Sequence, residues 1–180
     1  MSTSTVAIIS CGNELILGSV VDTNTAWLAA RLSELGIITT LHITVGDDEE
    51  DIRAAVLQAA VKAPTVILSG GLGPTLDDVT RQAVGKALGA ELREDPTCLE
   101  HIRGFFARRG RTMPETNRVQ ALVPVGARPI HNPCGTAPGI RAELGGSVIY
   151  VVPGVPLEMQ EMFTESIRPE LLAKAGGRSV

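Results

Sequence analysis

Three short apolar runs separated by amphipathic stretches constrain this chain most. Val6-Ala7-Ile8-Ile9, the segment Ile37 to Val45, and Thr65-Val66-Ile67-Leu68 are rich in β-branched residues. Runs of that length and composition read as strands, the first and third buried on both faces. Between the first two, Asp22-Thr23-Asn24 offers N-cap candidates for a helix from Thr25 to Leu35. Trp27, Leu28, Leu32 and Leu35 fall at helical spacing, and Gly36 suits the C-cap. Gly46-Asp47-Asp48 opens a second helix with the stripe Ile52, Val56, Leu57 and Ala60, and Pro64 stops it. A third helix is predicted from Asp77 to Leu88, closed by Gly89. The order β-α-β-α-β-α with short connections predicts a mostly parallel sheet with helices on both faces.

The second half is less regular. Asp95-Pro96 pairs a cap with a first-turn proline and starts a helix running to about Arg109. Met113 to Ala121 reads as a polar turn with one helical turn. Gly145-Gly146 between Ile140–Leu144 and Val148–Val152 predicts a β-hairpin. A last helix is expected from Leu157 to Ala173. At 180 residues, with no repeat or low-complexity linker, the chain is expected to form a single domain over residues 1–180.

Composition excludes several classes. The net charge of −4 offers no general field for nucleic acid or an anionic membrane. No stretch approaches the length of a membrane span, and the N-terminus lacks the basic and apolar regions of a signal peptide. Cys11, Cys98 and Cys134 are far apart and odd in number, which fits a reducing cytoplasm.

Ligands on parallel sheets sit beyond the C-terminal strand ends. Two loops mark those ends, CGNEL after the first strand and SGGLGPTLDDVT after the third. In the second, Gly70, Gly71 and Gly73 allow close backbone approach to a ligand. The helix behind them is expected to aim its free amides at the loop, making an anion pocket. The spacing is neither a Walker A loop nor a dinucleotide fingerprint.

Asp77 and Asp78 then pose a conflict, since two carboxylates beside a phosphate pocket repel phosphate. A divalent cation (Mg²⁺, Mn²⁺ or Co²⁺) removes it. A structural reading stands beside this one. Thr75 and Asp78 fit a capping box, and Asp77 suits a helix N-terminus. Asp47 is the one member of the acidic run 47–51 placed to reach the same cleft. Asp22 and Asn24, like Glu14 at the first strand end, stand as caps or ligand contacts alike. His42, His101 and His131 are scattered, and Arg108, Arg109 and Arg111 read as a solvated patch.

GNELILG with DTN, VGDD, SGGLGPTLDDVT, NPCGTAPG and VPGVPLEM together resemble the N-terminal domain of the CinA (competence/damage-inducible) family. They are similar, more distantly, to the molybdopterin-binding domains of molybdenum cofactor biosynthesis, the MoaB/MogA group. The resemblance implies a three-layer α/β/α fold and a metal-dependent pyrophosphatase cleaving ADP-ribose to AMP and ribose 5-phosphate. The molybdopterin branch implies binding or adenylylation of a pterin phosphate instead, and a non-catalytic nucleotide module is the third reading. Carried over by position, Asp47 and Asp78 match the acidic positions important in the molybdopterin branch, and with Asp77 from the carboxylate pair they are the catalytic and metal-holding candidates. Gly70, Gly71, Gly73, Pro74 and Thr75 bind ligand, joined by Asp22 and Asn24. Asn132, Gly135 and Thr136 supply a second ligand loop, and Pro153, Gly154 and Glu158 a third. The resemblance also implies a homo-oligomer. CinA-type proteins commonly add a C-terminal domain that deamidates nicotinamide mononucleotide, and the sequence stops where it would begin, so that activity is not expected here.

Overall fold

The fold is given by a computed structural model that describes residues 5–174. The first three strands are β1 (Thr5–Cys11), β2 (Ile38–Val45) and β3 (Thr65–Ser69). Between β1 and β2 run a short helix α1 (Asn13–Ile16) and α2 (Thr23–Glu34), with α3 (Glu49–Lys62) between β2 and β3. Next come α4 (Thr80–Leu88), β4 (Leu92–Glu94), α5 (Pro96–Ala107) and a 3-10 turn at Glu115–Ala121. The chain continues through β5 (Leu122–Pro124), β6 (Arg128–Ile130), β7 (Gly139–Leu144) and β8 (Ser147–Val152). It closes with α6 (Pro156–Met162), a π-helical turn at Phe163–Ile167, and α7 (Arg168–Lys174).

Six strands form one sheet in the order β2-β1-β3-β8-β7-β6, with β2, β1, β3 and β8 parallel. β7 and β6 are antiparallel additions, and β7–β8 is the hairpin on Gly145-Gly146. The mostly parallel three-layer arrangement expected from the sequence is therefore the observed one. Alternation along the central strands feeds two cores. Ala7, Ile9, Val66, Leu68, Ile149 and Val151 pack against α3 and α4. Val6, Ile8, Ile67, Tyr150 and Val152 pack against α2, α6 and the π turn. Each fully buried aliphatic side chain there contributes about 1.5–3 kcal/mol.

The helix ends follow local chemistry. Asp22 caps α2 by accepting from Thr25 N, and Ile37 N returns to Leu32 O beyond Gly36. Asp48 caps α3 by accepting from Glu50 N and Asp51 N. On α3 the buried stripe is Ile52, Ala55, Val56 and Ala59, so Ala55 and Ala59 take the places expected of Leu57 and Ala60. Two helices differ more from expectation. The one expected from Asp77 begins at Thr80, because Asp78 bonds back to Gly73 and Thr75 and holds that stretch in turns. The last helix is broken by a π turn just before Pro169, which has no N–H to donate to the Glu165 carbonyl.

Arg141 on β7 ties the sheet to α7, with Nη2 and Nε donating to Glu170 Oε1 at 2.7 and 2.8 Å. Those bonds from Arg141 outweigh partial burial and hold the Glu170 carboxyl below its ordinary value. A carboxyl depressed by folding stabilises fully above its unfolded value and loses that contribution as pH falls through its folded one. The thermal midpoint is thus expected to decline as pH drops below about 4.5. Arg141→Met should flatten that part of the profile. An unchanged acid limb in the variant would remove the pair from the account.

Candidate functional site

The C-terminal ends of β1, β2, β3 and β8 open on one cavity of about 450 Å³, a size suited to a nucleotide-scale ligand. Five segments build it: Cys11, Gly12 and Glu14 from the β1 end, Asp47 after β2, the glycine loop after β3, Thr136 and Ala137, and Pro153 to Glu158. Gln120 reaches in from the 3-10 turn.

The glycine loop is shaped by close packing. At Gly70, φ is +114°, and a side chain would overlap the Cys11 carbonyl of the neighbouring strand end. Gly70 N donates to Val152 O at 3.0 Å, continuing the sheet into the loop. Asp78 gathers the rest, accepting from Gly73 N at 2.8 Å and Thr75 N at 2.9 Å, and from the Thr75 hydroxyl. Half of the expected capping box therefore forms, but inside the loop and not at a helix start. The N–H groups of Gly71 and Leu72 have no partner among the described residues. α4 contributes nothing to the cavity lining, and Thr80 N is spent on Gly71 O. The unpartnered donors on the cavity lining are therefore loop amides, and the expected helix N-terminus does not line it.

Asp77 is exposed on the lining and makes no side-chain hydrogen bond among the described residues. Asp47 is half-buried and locked to α1, its Oδ2 accepting from Asn13 N at 2.9 Å while Asn13 Oδ1 accepts from Asp47 N. Asp47, Asp77 and Asp78 line one cavity, yet no three Asp, Glu, His or Cys side chains converge on a single ion among the described residues. The expected three-carboxylate metal cage is therefore not formed by the protein alone.

The second and third loops interlock. Asn132 is fully buried, its Oδ1 accepting from Cys134 N and Gly135 N and its Nδ2 donating to Ala137 O. The same Nδ2 donates to Glu158 Oε2 at 2.7 Å, aiming that carboxylate at the cavity. A side chain on Gly135 would overlap the Glu158 carboxylate and push it from its present place. His101 Nε2 sits 3.0 Å from Gly135 O, and the His101 and His131 rings meet edge to face. These two histidines, distant in sequence, thus support the loop from behind.

Of the residues expected at the site, Asp47, Asp77, Asp78, Gly70, Gly71, Gly73, Pro74, Thr136, Pro153, Gly154 and Glu158 line the cavity. Asn132, Gly135 and Thr75 do not; they hold its loops. Asp22 and Asn24 lie in a smaller adjoining cleft. Asn24 Nδ2 bridges Ser69 Oγ and the Gly154 carbonyl, fastening the glycine loop to the PGVP loop. Burial alone would raise the Asp22 carboxyl, but hydrogen bonds from Ser10 and Thr25 outweigh it and lower it. Gln120 was not expected, and Cys11 was placed only as the start of the CGNEL strand end. Burial pushes the Cys11 thiol up to about 12, so it lines the cavity as a neutral group and not as a nucleophile. Among the described residues no helix is long and apolar enough to cross a membrane.

A family model described as a probable molybdopterin binding domain matches residues 7–173. A CinA-like protein of Frankia casuarinae is 43% identical over 96% of this chain and 41% of its own length. A putative competence-damage inducible protein of Caldicellulosiruptor bescii is 44% identical over 91% of this chain and 40% of its own. The chain thus spans about two fifths of these relatives. Among solved structures, the protein CinA of Thermoplasma acidophilum, of unknown function, superposes with a TM-score of 0.85 at 33% identity. It covers 93% of this chain and 98% of that one. MoaB of Thermus thermophilus shares the fold, with a TM-score of 0.65 at 19% identity over 98% of both chains.

Proposed function

Because the chain belongs to the family of probable molybdopterin-binding domains, we propose that its cavity takes a nucleotide or pterin phosphate together with a divalent cation. We further propose that it hydrolyses a nucleotide pyrophosphate, with ADP-ribose the first substrate to test. One observation carries the reading. Among the described residues the cavity is lined by Glu14, Asp47, Asp77, Asp78 and Glu158, and by no lysine, arginine or histidine, beside Gly71 and Leu72, whose amides have no protein partner. Amides alone do not offset that much negative charge for an incoming phosphate. A hard cation does, because its affinity for carboxylate and phosphate oxygens joins the two.

The donor set fits a cation that arrives with its phosphate and not a resident one. Asp78 spends its oxygens on the loop, which leaves Asp77 and the free oxygen of Asp47 as ligands. One or two carboxylates completed by phosphate oxygens and water is the manner in which Mg²⁺ is usually held. When bound, the ion supplies charge neutralisation and a more acidic water. The chain's own part is to orient. Gly71 and Leu72 donate to a phosphate oxygen, Asp78 keeps the loop open, and Glu158 faces the ligand from the opposite wall.

The test is incubation with ADP-ribose, with and without Mg²⁺, Mn²⁺ or Co²⁺, followed by chromatography. AMP and ribose 5-phosphate are expected only with a cation. Tight binding of a nucleotide or pterin phosphate with no product under any cation would overturn hydrolysis and leave a receptor.

A further inference from the structure

Beneath the glycine loop, and outside the cavity, lies Arg81 in the first turn of α4. It is fully buried. Its Nη2 donates to the Leu72 carbonyl at 2.7 Å. Gln120 Nε2 donates to the same oxygen at 3.3 Å, and Asn117 Nδ2 in turn steadies the Gln120 amide oxygen at 2.9 Å. Arg81 Nε and Nη1 are buried with no partner among the described residues.

Such an arginine is costly. Removing a guanidinium from water costs several kcal/mol unless its donors are matched, and an apolar side chain of similar volume often fills such a place at no loss. Packing alone does not account for it. What it grips does. The described chain holds no cis peptide, so the Leu72 carbonyl and the Gly73 N–H point opposite ways across one plane. The carbonyl faces Arg81, and the N–H donates to Asp78 Oδ1 at 2.8 Å. A single peptide is held between a buried cation and a cavity carboxylate. Burial draws the guanidinium down to about 10, with Asp78 and Cys98 acting the other way, so it stays charged near neutral pH. In so dry a setting its field reaches the loop with little screening.

We propose that Arg81 is the positioning residue of the glycine loop. It clamps the Leu72–Gly73 peptide against Asp78, and it supplies from below the positive charge that the lining side chains lack. The charge half of this role rests on the phosphate reading above. The clamp half does not.

The experiment compares native protein with Arg81→Lys and Arg81→Met. It measures binding of inorganic pyrophosphate with Mn²⁺ by calorimetry and amide hydrogen exchange at Gly73 and Thr75 by NMR. Arg81→Lys, which keeps the charge, is expected to bind within about threefold of native, and a folded Arg81→Met about tenfold more weakly or worse. Exchange at Gly73 should quicken in both, most in Arg81→Met. Native-like binding by a folded Arg81→Met overturns the charge role, and unchanged Gly73 exchange overturns the clamp. Should Arg81→Met not fold, Arg81→Lys carries the test. Faster Gly73 exchange with near-native affinity supports the proposal, and a tenfold loss of affinity despite the retained charge sinks it. If native protein takes up no pyrophosphate with any cation, the phosphate reading fails separately, and Gly73 exchange still reports on the clamp.

Discussion

Asp78→Ala is expected to abolish ligand binding and lower the thermal midpoint, whereas Asp77→Asn is expected to abolish turnover and leave the midpoint in place. The two aspartates are neighbours in sequence with unlike surroundings. Asp78 accepts from two loop amides and one hydroxyl, so its loss frees the Gly73 and Thr75 N–H groups together and lets the loop relax. These bonds are partly solvated, and about 2 kcal/mol for the set is a fair magnitude. In a chain of this size that corresponds to about 6 °C. Asp77 has no such bonds, so its asparagine variant removes a charge from the cavity and nothing from the fold. Circular dichroism melts and AMP formation from ADP-ribose read both effects. An Asp78→Ala protein that melts and turns over as native would remove Asp78 from the loop's support. Native turnover by Asp77→Asn would remove Asp77 from the cation site.

The contrast marks where the sequence is legible. Val6 to Ile9, Thr65 to Leu68 and Val148 to Val152 are continuous runs rich in β-branched residues, and all three are central strands. Caps at Asp22, Asp48 and Asp95 were equally readable, because each needs only a side chain and the next turn. β4, β5 and β6 were not. Each is three residues long, too short for a period, and prolines stand in β5 and β6. α1 also escaped, as four residues carry no stripe. At the site, the glycine loop and its aspartates could be placed because they are contiguous. Which carboxylate serves the fold could not, since Asp78 in a capping box with Thr75 and Asp77 at a helix N-terminus both had a structural reading, and only the folded chain gives the bonds to Asp78 alone. Arg81 shows the same limit. It sits amid a helical pattern, and only the folded chain brings it beneath Leu72 with Gln120 beside it.

Asn132 is the residue whose loss should cost most. Its side chain is fully buried, and its four bonds, two of them buried and two partly so, join three parts of the molecule: the turn at Cys134-Gly135, the Ala137 carbonyl before β7, and Glu158 on α6. Asn132→Leu fills the volume but leaves two N–H groups, a carbonyl and a carboxylate without partners. Stranded buried polar groups cost about 1–3 kcal/mol each, so a loss of about 4 kcal/mol is a moderate expectation. The melting midpoint should fall by about 12 °C or more. Pyrophosphate binding should vanish with it, since Glu158 and Thr136 share that wall of the cavity. Glu158→Gln supplies the control. Its amide oxygen still accepts from Asn132 Nδ2, so the midpoint should stay within about 2 °C of native. Any change in cation-dependent binding then reports the missing charge alone. Were Asn132→Leu to melt with the native protein, the interlock of the two loops would carry no stability. Glu158 would then have to be held by contacts other than the one at 2.7 Å.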